Sequence, residues 1–555
     1  MRRLACAALA MVLLATVPGL ARRQGRQVPF PAIAATLLQQ HIKVLSSDEY
    51  GGRLPGTRGE DLSVAYIADQ FRRVGLKPGN PDGTYFQKVP LVGMTADKAM
   101  QLTFRKAGMT GSLKYLQDFV AWTRREAPDA GLQNSPLVFV GYGVQAPEFA
   151  WDDYKGVDVR GKTVVMLIND PPVPDPHDAR KLDPAVFGGD AMTYYGRWTY
   201  KYDIGAAKGA AGILIVHESV PAGYAWSVVQ GFGGERFDLV APNGNVDKAA
   251  VEGWLTIDQV RKLFVMAGQN FDVLKKRAAT REFRPVPLDV TASIHFGNRM
   301  RRVDSRNVIG RIDGSDAKLK AECVAYSAHW DHFGTGPAGI YHGAADNASG
   351  VAGVIEIARA FSRMPVRPKR TLLFLAVTGE EQGLLGSAYY VEHPVVPMAK
   401  TLADINIDIL NVHGATKDVT IIGFGKSTLD EVARQVAARQ DRVVHGDLEP
   451  QKGYYYRSDH FEFANRGVPG LYVDWVRNDF VGKAGDYGRN AADYYTEHNY
   501  HKPADVIMPD WDLHGAIQDL QMLWMVGFDV AQASKYPEWA VGSEFKARRV
   551  ADVKR

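Results

Sequence analysis

The chain has 555 residues, 46% of them apolar and 23% charged, with a formal net charge of +4. At roughly 100–200 residues per domain this length predicts several domains with sizeable cores, and the composition excludes a disordered or fibrous protein. A balance so near zero carries no basic excess for nucleic acid, and the only two cysteines, Cys6 and Cys323, exclude a disulfide framework.

Residues 1–21 read as a secretory signal peptide. Arg2 and Arg3 form a positive start, Leu4 to Val17 carries no charge, Pro18 breaks the run, and Gly19-Leu20-Ala21 offers small residues for cleavage. The run is shorter than the roughly 20 apolar residues a membrane span requires, and Arg22-Arg23 follow it. The mature protein is therefore expected to be periplasmic or secreted, with no stable membrane insertion after cleavage.

Three blocks follow. The first opens with an amphipathic helix over Ile33 to Leu45, a Gly/Pro-rich turn at Gly51-Gly52-Arg53-Leu54-Pro55-Gly56, and a second helix over Gly59 to Val74 that stops at Gly75. The second block, about 134–290, is a mixed α/β pattern. It has strand-like runs at Leu137 to Val140, Thr163 to Ile168 and Ile213 to Val216, a helix at Tyr202 to Ala211, and no evident nucleophile. The third block, about 300–540, alternates strands (Val324 to Ala328, Thr371 to Val377, Leu402 to Ile407, Leu471 to Val473) with helices (Ala348 to Phe361, Leu384 to Val391, Ser427 to Arg439, Leu513 to Val530). Such alternation predicts an α/β fold with a mostly parallel central sheet covered by helices on both faces. Its site then lies beyond the carboxyl ends of the strands. The tail from Lys546 is mixed in charge and reads as solvated.

Ten of the 14 histidines lie at or after His329, which turns the search for a metal to the third block. His329 ends an apolar strand with Asp331 two residues on, and the second ring nitrogen of an imidazole ligand is usually held by a carboxylate or carbonyl. Asp346 sits in a loop of small residues before a helix, where a carboxylate can approach two ions. Glu380-Glu381 follow the strand ending at Val377; adjacent buried carboxylates repel, and a metal would compensate them while one Glu stays free as a base. Asp408 ends another strand, and His501 lies in a loop before the last helix. Two imidazoles and three carboxylates, with Asp346 shared, would give each of two ions three protein ligands and room for water, as catalytic zinc requires.

These segments resemble the M28 family of zinc metallopeptidases, secreted bacterial aminopeptidases and their membrane-bound carboxypeptidase relatives. The matching stretches are Ser327-Ala328-His329-Trp330-Asp331, Gly343 to Gly350, Gly379-Glu380-Glu381, Asn406-Ile407-Asp408 and Tyr500-His501. The turn Gly52 to Thr57 is similar to the family's early turn. Val140-Gly141-Tyr142-Gly143 and Gly209-Ala210-Ala211-Gly212 are similar to a protease-associated domain. The resemblance implies a peptidase domain in two parts, 22–130 and 296–540, an inserted protease-associated domain at 131–295 and a tail at 541–555.

It further implies two zinc ions. His329, Asp346 and Asp408 would hold one, and Asp346, Glu381 and His501 the other, with Glu380 as general base and Asp331 orienting His329. Peptides are the implied substrates, and an extracytoplasmic aminopeptidase is the leading expectation. A carboxypeptidase or dipeptidase with Arg457 as a carboxylate clamp, a glutaminyl cyclase-like enzyme and a non-catalytic receptor-like binder are the alternatives. Tyr454, Tyr455 and Tyr456 are candidate donors to an oxyanion, or else a stacked loop cluster.

Other motifs fail on spacing. His217-Glu218 has Pro221 where a helical zinc motif needs its second His, and Gly425-Lys426-Ser427 has Thr420 where a phosphate loop needs Gly.

Overall fold

A computed structural model describes residues 28–231 and 233–553; the expected signal peptide lies outside them. Two sheets organise the chain. The main sheet runs, edge to edge, through Arg236–Leu239, Phe86–Ala96, the C-terminal half of Val286–Ile312, Thr371–Val377, Cys323–His329, Thr401–Asn406, Gly470–Asp474, Asp418–Ile422 and Val443–Gly446. Its centre, from Thr371–Val377 to Gly470–Asp474, is parallel, and antiparallel pairs flank it.

The central strands are buried on both faces and divide their side chains by the period of two. Val324, Tyr326, Ala328, Leu372, Phe374 and Ala376 face one core with the helices Ala35–Leu45, Arg58–Arg73, Gly350–Ser362 and His514–Gln532. Cys323, Ala325, Leu373, Leu375 and Val377 face the other, under Leu385–Glu392 and His460–Asn465. Each buried Leu or Phe contributes about 1.5–3 kcal/mol. Arg58–Arg73 carries Glu60 and Asp61 in its first turn and Arg72 and Arg73 in its last, matching the helix dipole.

The second sheet runs through Phe119–Trp122, Val251–Thr256, Gly212–His217, Thr163–Leu167, Asp129–Phe139, the N-terminal half of Val286–Ile312, Gln101–Lys106 and Met109–Lys114. It too has a core on each face. Residues 101–122 therefore belong to the inserted lobe, which begins ahead of the boundary at 131 read from the sequence. Their side chains Leu102, Phe104, Leu113 and Phe119 are part of its core.

The 27-residue strand Val286–Ile312 serves both sheets. Residues 298–308 pair with Phe86–Ala96, so the two chain crossings between the lobes are hydrogen-bonded neighbours. Arg236–Leu239, from the inserted lobe, then extends the main sheet along Leu91–Met94.

One further reading shifts. The helix expected at Tyr202 to Ala211 spans Trp198–Ala207, because Gly209 has a positive φ of 78° and ends it. The tail from Lys546 is helical over Lys546–Val553 and exposed at 546–548, as expected, with Arg549 donating to the Met398 carbonyl at 3.0 Å. Just ahead of it, Phe545 is buried against Tyr455 and Trp539. Among the described residues, no helix is long and apolar enough to cross a membrane.

Candidate metal centre

The parallel strands end side by side. His329 pairs in register with Val377, and Ser327 with Asn406. The first residues beyond these ends, Glu380-Glu381 and Asp408, thus converge on the His329 ring. The loop carrying Asp346 is fixed from within. Asn347 donates to the Ile407 carbonyl (2.9 Å) and accepts from the N–H groups of Gly350 (2.8 Å) and Ile409 (3.2 Å). The Asp505 carboxylate accepts from the N–H groups of Ala345 (3.1 Å) and Asp346 (3.0 Å). Gly343 opens the loop with φ 54°, where a Cβ would stand 2.2 Å from the Asp346 carbonyl oxygen, so only glycine fits. His501 follows the helix Tyr487–His498 with φ 56°, a left-handed conformation that histidine adopts more readily than most residues with a Cβ.

All five expected ligands meet. His329 Nε2 lies 3.3 Å from Asp346 Oδ1 and 3.3 Å from Asp408 Oδ1. His501 Nε2 lies 3.3 Å from Asp346 Oδ2 and 3.2 Å from Glu381 Oε2. The two oxygens of Asp346 thus face two different imidazoles. Ligand atoms of His329, Asp346 and Glu381 fall within 4.8 Å of one another, as do those of His329, Glu380 and Asp408. A tetrahedral ion with bonds of about 2.0–2.1 Å separates its ligands by about 3.3–3.4 Å, so the spacing and the nitrogen–oxygen donor set both fit zinc. Glu380 Oε2 is further from His329 Nε2, at 3.8 Å. The His329 side chain is 1% exposed, whereas those of Glu380, Asp408 and His501 are 10%, 12% and 29% exposed. The centre is therefore open on one side, as a catalytic site must be.

The electrostatics call for positive charge. Burial disfavours a charged ring, yet the carboxylates of Glu380, Asp408 and Asp346 hold the His329 imidazole well above its ordinary value. His501, opposed by burial but faced by Glu381 and Asp346, rises to about 10. Burial, with Glu381, Asp408 and Asp459 close by, pushes the Glu380 carboxyl well above the carboxylate range despite His329. Glu381 falls to about 2 against burial, because His501 and His332 outweigh the repulsion from Asp346.

Asp331 departs from its expected role. Its carboxylate Oδ1 stands 3.9 Å from His329 Nδ1, too far for a hydrogen bond. The Asp331 carbonyl oxygen accepts from that nitrogen instead, at 3.2 Å. The carboxylate accepts the backbone N–H of Glu380 at 3.1 Å, and burial raises it to about 6.

Several supporting residues escaped the sequence reading. His332 is fully buried and holds Glu381 Oε1 at 2.6 Å. Ser458 donates to Asp408 Oδ2 at 2.6 Å and accepts from Asn406 Nδ2 at 2.6 Å. Arg53, from the early turn, is buried beneath the centre and donates to the carbonyls of Leu45, Trp330, His342 and Gly343 at 2.6–2.9 Å. Burial lowers its guanidinium to about 10, although Asp505, Asp331, Asp346 and Glu381 favour its charge. Of the three tyrosines, Tyr456 donates to Glu544 (2.9 Å) and Tyr455 packs against His460 and Phe545, which commits both to an aromatic core.

Residues 307–525, which include all five converging ligands, match the model of Peptidase family M28. By that match the segment is similar to an M28 peptidase. Over 137 residues the chain is 34% identical to the Mus musculus protein named aminopeptidase NAALADL1, covering 24% of this chain and 17% of that one. Over 204 residues it is 28% identical to a vacuolar membrane protease of Schizophyllum commune, covering 37% and 20%. The chain thus spans about a fifth of the length of these curated relatives. A solved aminopeptidase from Aneurinibacillus sp. strain AM-1 superposes with a TM-score of 0.52 at 18% identity, over 91% of this chain and 95% of that one. That likeness shows a shared fold over almost the whole chain.

Proposed function

We propose that the protein is a two-zinc aminopeptidase that works outside the cytoplasm, and that residues 101–297 form its protease-associated domain. The observation that carries this reading is Asp346, whose two oxygens face His329 and His501 at 3.3 Å each. His329, Asp346 and Asp408 would hold one ion, and Asp346, Glu381 and His501 the other. When bound, such ions supply Lewis acidity toward a peptide carbonyl and acidify water.

The chain's own residues do the rest. Glu380 stands at the open side with its carboxyl pK pushed upward by burial and neighbouring carboxylates. There it takes a proton from the attacking water and returns it to the departing amine. Asp331 fixes the Glu380 backbone, and its carbonyl accepts from His329 Nδ1, which leaves Nε2 as the nitrogen that would hold an ion between the ring and the carboxylates. Burial of His329 and Asp346 excludes bulk water from the floor of the site.

Glu380→Gln should lower turnover of leucine p-nitroanilide by about a hundred- to ten-thousand-fold. Metal analysis of the same variant should still give two ions per chain. Unchanged turnover removes Glu380 as the base. Hydrolysis of N-blocked peptides alone would overturn the aminopeptidase reading.

A further inference from the structure

Behind Asp408 a row of buried polar side chains runs back into the main sheet. The Ser458 hydroxyl, which holds Asp408 Oδ2, takes a hydrogen from Asn406 Nδ2. At the other end of the same amide, Asn406 Oδ1 lies 3.1 Å from the Ser327 hydroxyl, and that hydroxyl lies 2.9 Å from Asp404 Oδ2. Strand register builds the row: Ser327 pairs with Asn406 and Ala325 with Asp404 on adjacent parallel strands. Ser327 shares the face of Cys323 and Ala325 by the period of two, under Leu385–Glu392 and His460–Asn465.

Asp404 stands at the inner end of this row without a counter-charge. It is fully buried, as are Ser327 and Asn406, and its Oδ1 has no hydrogen-bond partner among the described residues. Asp519 and Glu356, also buried, are paired with Arg442 at 2.7 Å and with Arg359 at 2.8 Å. The described titratable groups that face Asp404 are instead the Tyr390 hydroxyl and the Asp459 carboxyl from the covering elements and the Cys323 thiol from the sheet. None of them is a cation, and an unpaired buried carboxylate is costly. Burial pushes the Asp404 carboxyl well above the carboxylate range and Asp459 adds to this, against the Ser327 hydrogen bond.

The row also needs one more hydrogen than its inner members own. Four contacts join Asp404, Ser327, Asn406, Ser458 and Asp408. Each requires a hydrogen between its two heavy atoms. Ser327 and Ser458 bring one each, and Asn406 brings one through Nδ2, because its other end is a carbonyl oxygen. The fourth must sit on a carboxyl at one end. Asp408, as a metal ligand, has to be ionised, which leaves Asp404. With the hydrogen on Asp404 Oδ2, each hydroxyl accepts once and donates once, and all the bonds point toward Asp408.

We propose that Asp404 is a positioning residue of the metal centre: it holds a proton, and the one-way line of hydrogen bonds that starts there fixes Asp408 Oδ2, so that Oδ1 stays turned toward His329 Nε2, 3.3 Å away. Because its far end is neutral, the line adds no charge behind a centre already crowded with Asp346, Glu380, Glu381 and Asp408. This role rests on the two-metal reading of that centre.

The proton is read directly. The infrared difference between the parent protein and Asp404→Asn at pH 8 should contain the carbonyl band of a protonated carboxyl; carboxylate bands in its place overturn the proposal. The line is read by titrating metal-free protein with cobalt(II) alone and following its visible absorption. Asp404→Leu, which removes the hydrogen and keeps the bulk, should weaken one of the two sites about 10- to 100-fold. Asp404→Asn, whose amide N–H replaces the carboxyl hydrogen, should restore that site. Asp404→Leu binding both ions as tightly as the parent, or Asp404→Asn weakening a site as much as Asp404→Leu does, overturns the proposal. Should Asp404→Leu fail to fold, Ser327→Ala breaks the same line one member further on, and an unchanged cobalt titration there overturns it equally. A parent protein that takes up no cobalt would sink the two-metal reading, while the infrared band still decides whether Asp404 holds the proton.

Discussion

A carboxylate ligand has two oxygens, and whatever holds the first aims the second. Glu381 shows this: His332 holds Oε1 at 2.6 Å, leaving Oε2 to face His501 at 3.2 Å. His332→Leu should weaken one of the two metal sites about 10- to 100-fold, read as a fall toward one ion per chain when metal is limiting. Two ions held as before would reduce His332 to a packing residue. That these five side chains could converge was legible in the sequence, because each stands just past an apolar strand or in a loop. His332 was not, because the four residues His329-Trp330-Asp331-His332 say nothing of which imidazole turns toward Glu381. Arg53 was hidden for a related reason. Its four carbonyl partners come from Leu45, Trp330, His342 and Gly343, and only the folded chain brings these together. Asp331 was read as an orienting carboxylate, but a sequence cannot tell the side-chain oxygen from the carbonyl oxygen of the same residue.

Among the elements, the parallel strands and their covering helices were legible because both faces are apolar. The strand Val286–Ile312 was not. Its exposed Arg299, Met300, Arg301 and Arg302 lie where it passes between the lobes, and they break the alternation a strand normally shows. Residues 101–122 were assigned to the wrong lobe because strand partners at long range leave no local mark. The strand Val251–Thr256 carries a buried acid that makes a prediction of its own. Glu252 accepts from Trp122 Nε1 at 3.2 Å, its Oε1 has no partner, and burial raises its carboxyl from 4.5 to about 7. The folded chain thus keeps a proton that the unfolded chain releases. This contribution is complete below about pH 4.5 and is lost as pH rises through about 7. In denaturant titrations Glu252→Gln should match the parent protein near pH 4 and exceed it by about 1–3 kcal/mol at pH 8. A gap that does not vary with pH would contradict this origin.

At the scale of the whole molecule, metal and fold should be coupled. Asp346, Glu380, Glu381 and Asp408 crowd around His329 and His501, and bound cations would relieve their mutual repulsion only in the native state. Chelation should therefore lower the melting temperature by several degrees, since a ligand at a thousand times its Kd adds about 4 kcal/mol, and added zinc should restore it. Melting that ignores chelator would place the ions outside the folded site.

The lobes meet without a swivel. Where other two-lobed proteins pivot on a few loop residues, here one continuous strand runs from sheet to sheet, braced by its antiparallel neighbour Phe86–Ala96 and by Arg236–Leu239 beyond it. Such a ribbon flexes as a stiff beam does, a little along its whole length, so the placement of one lobe against the other is a built dimension of the molecule.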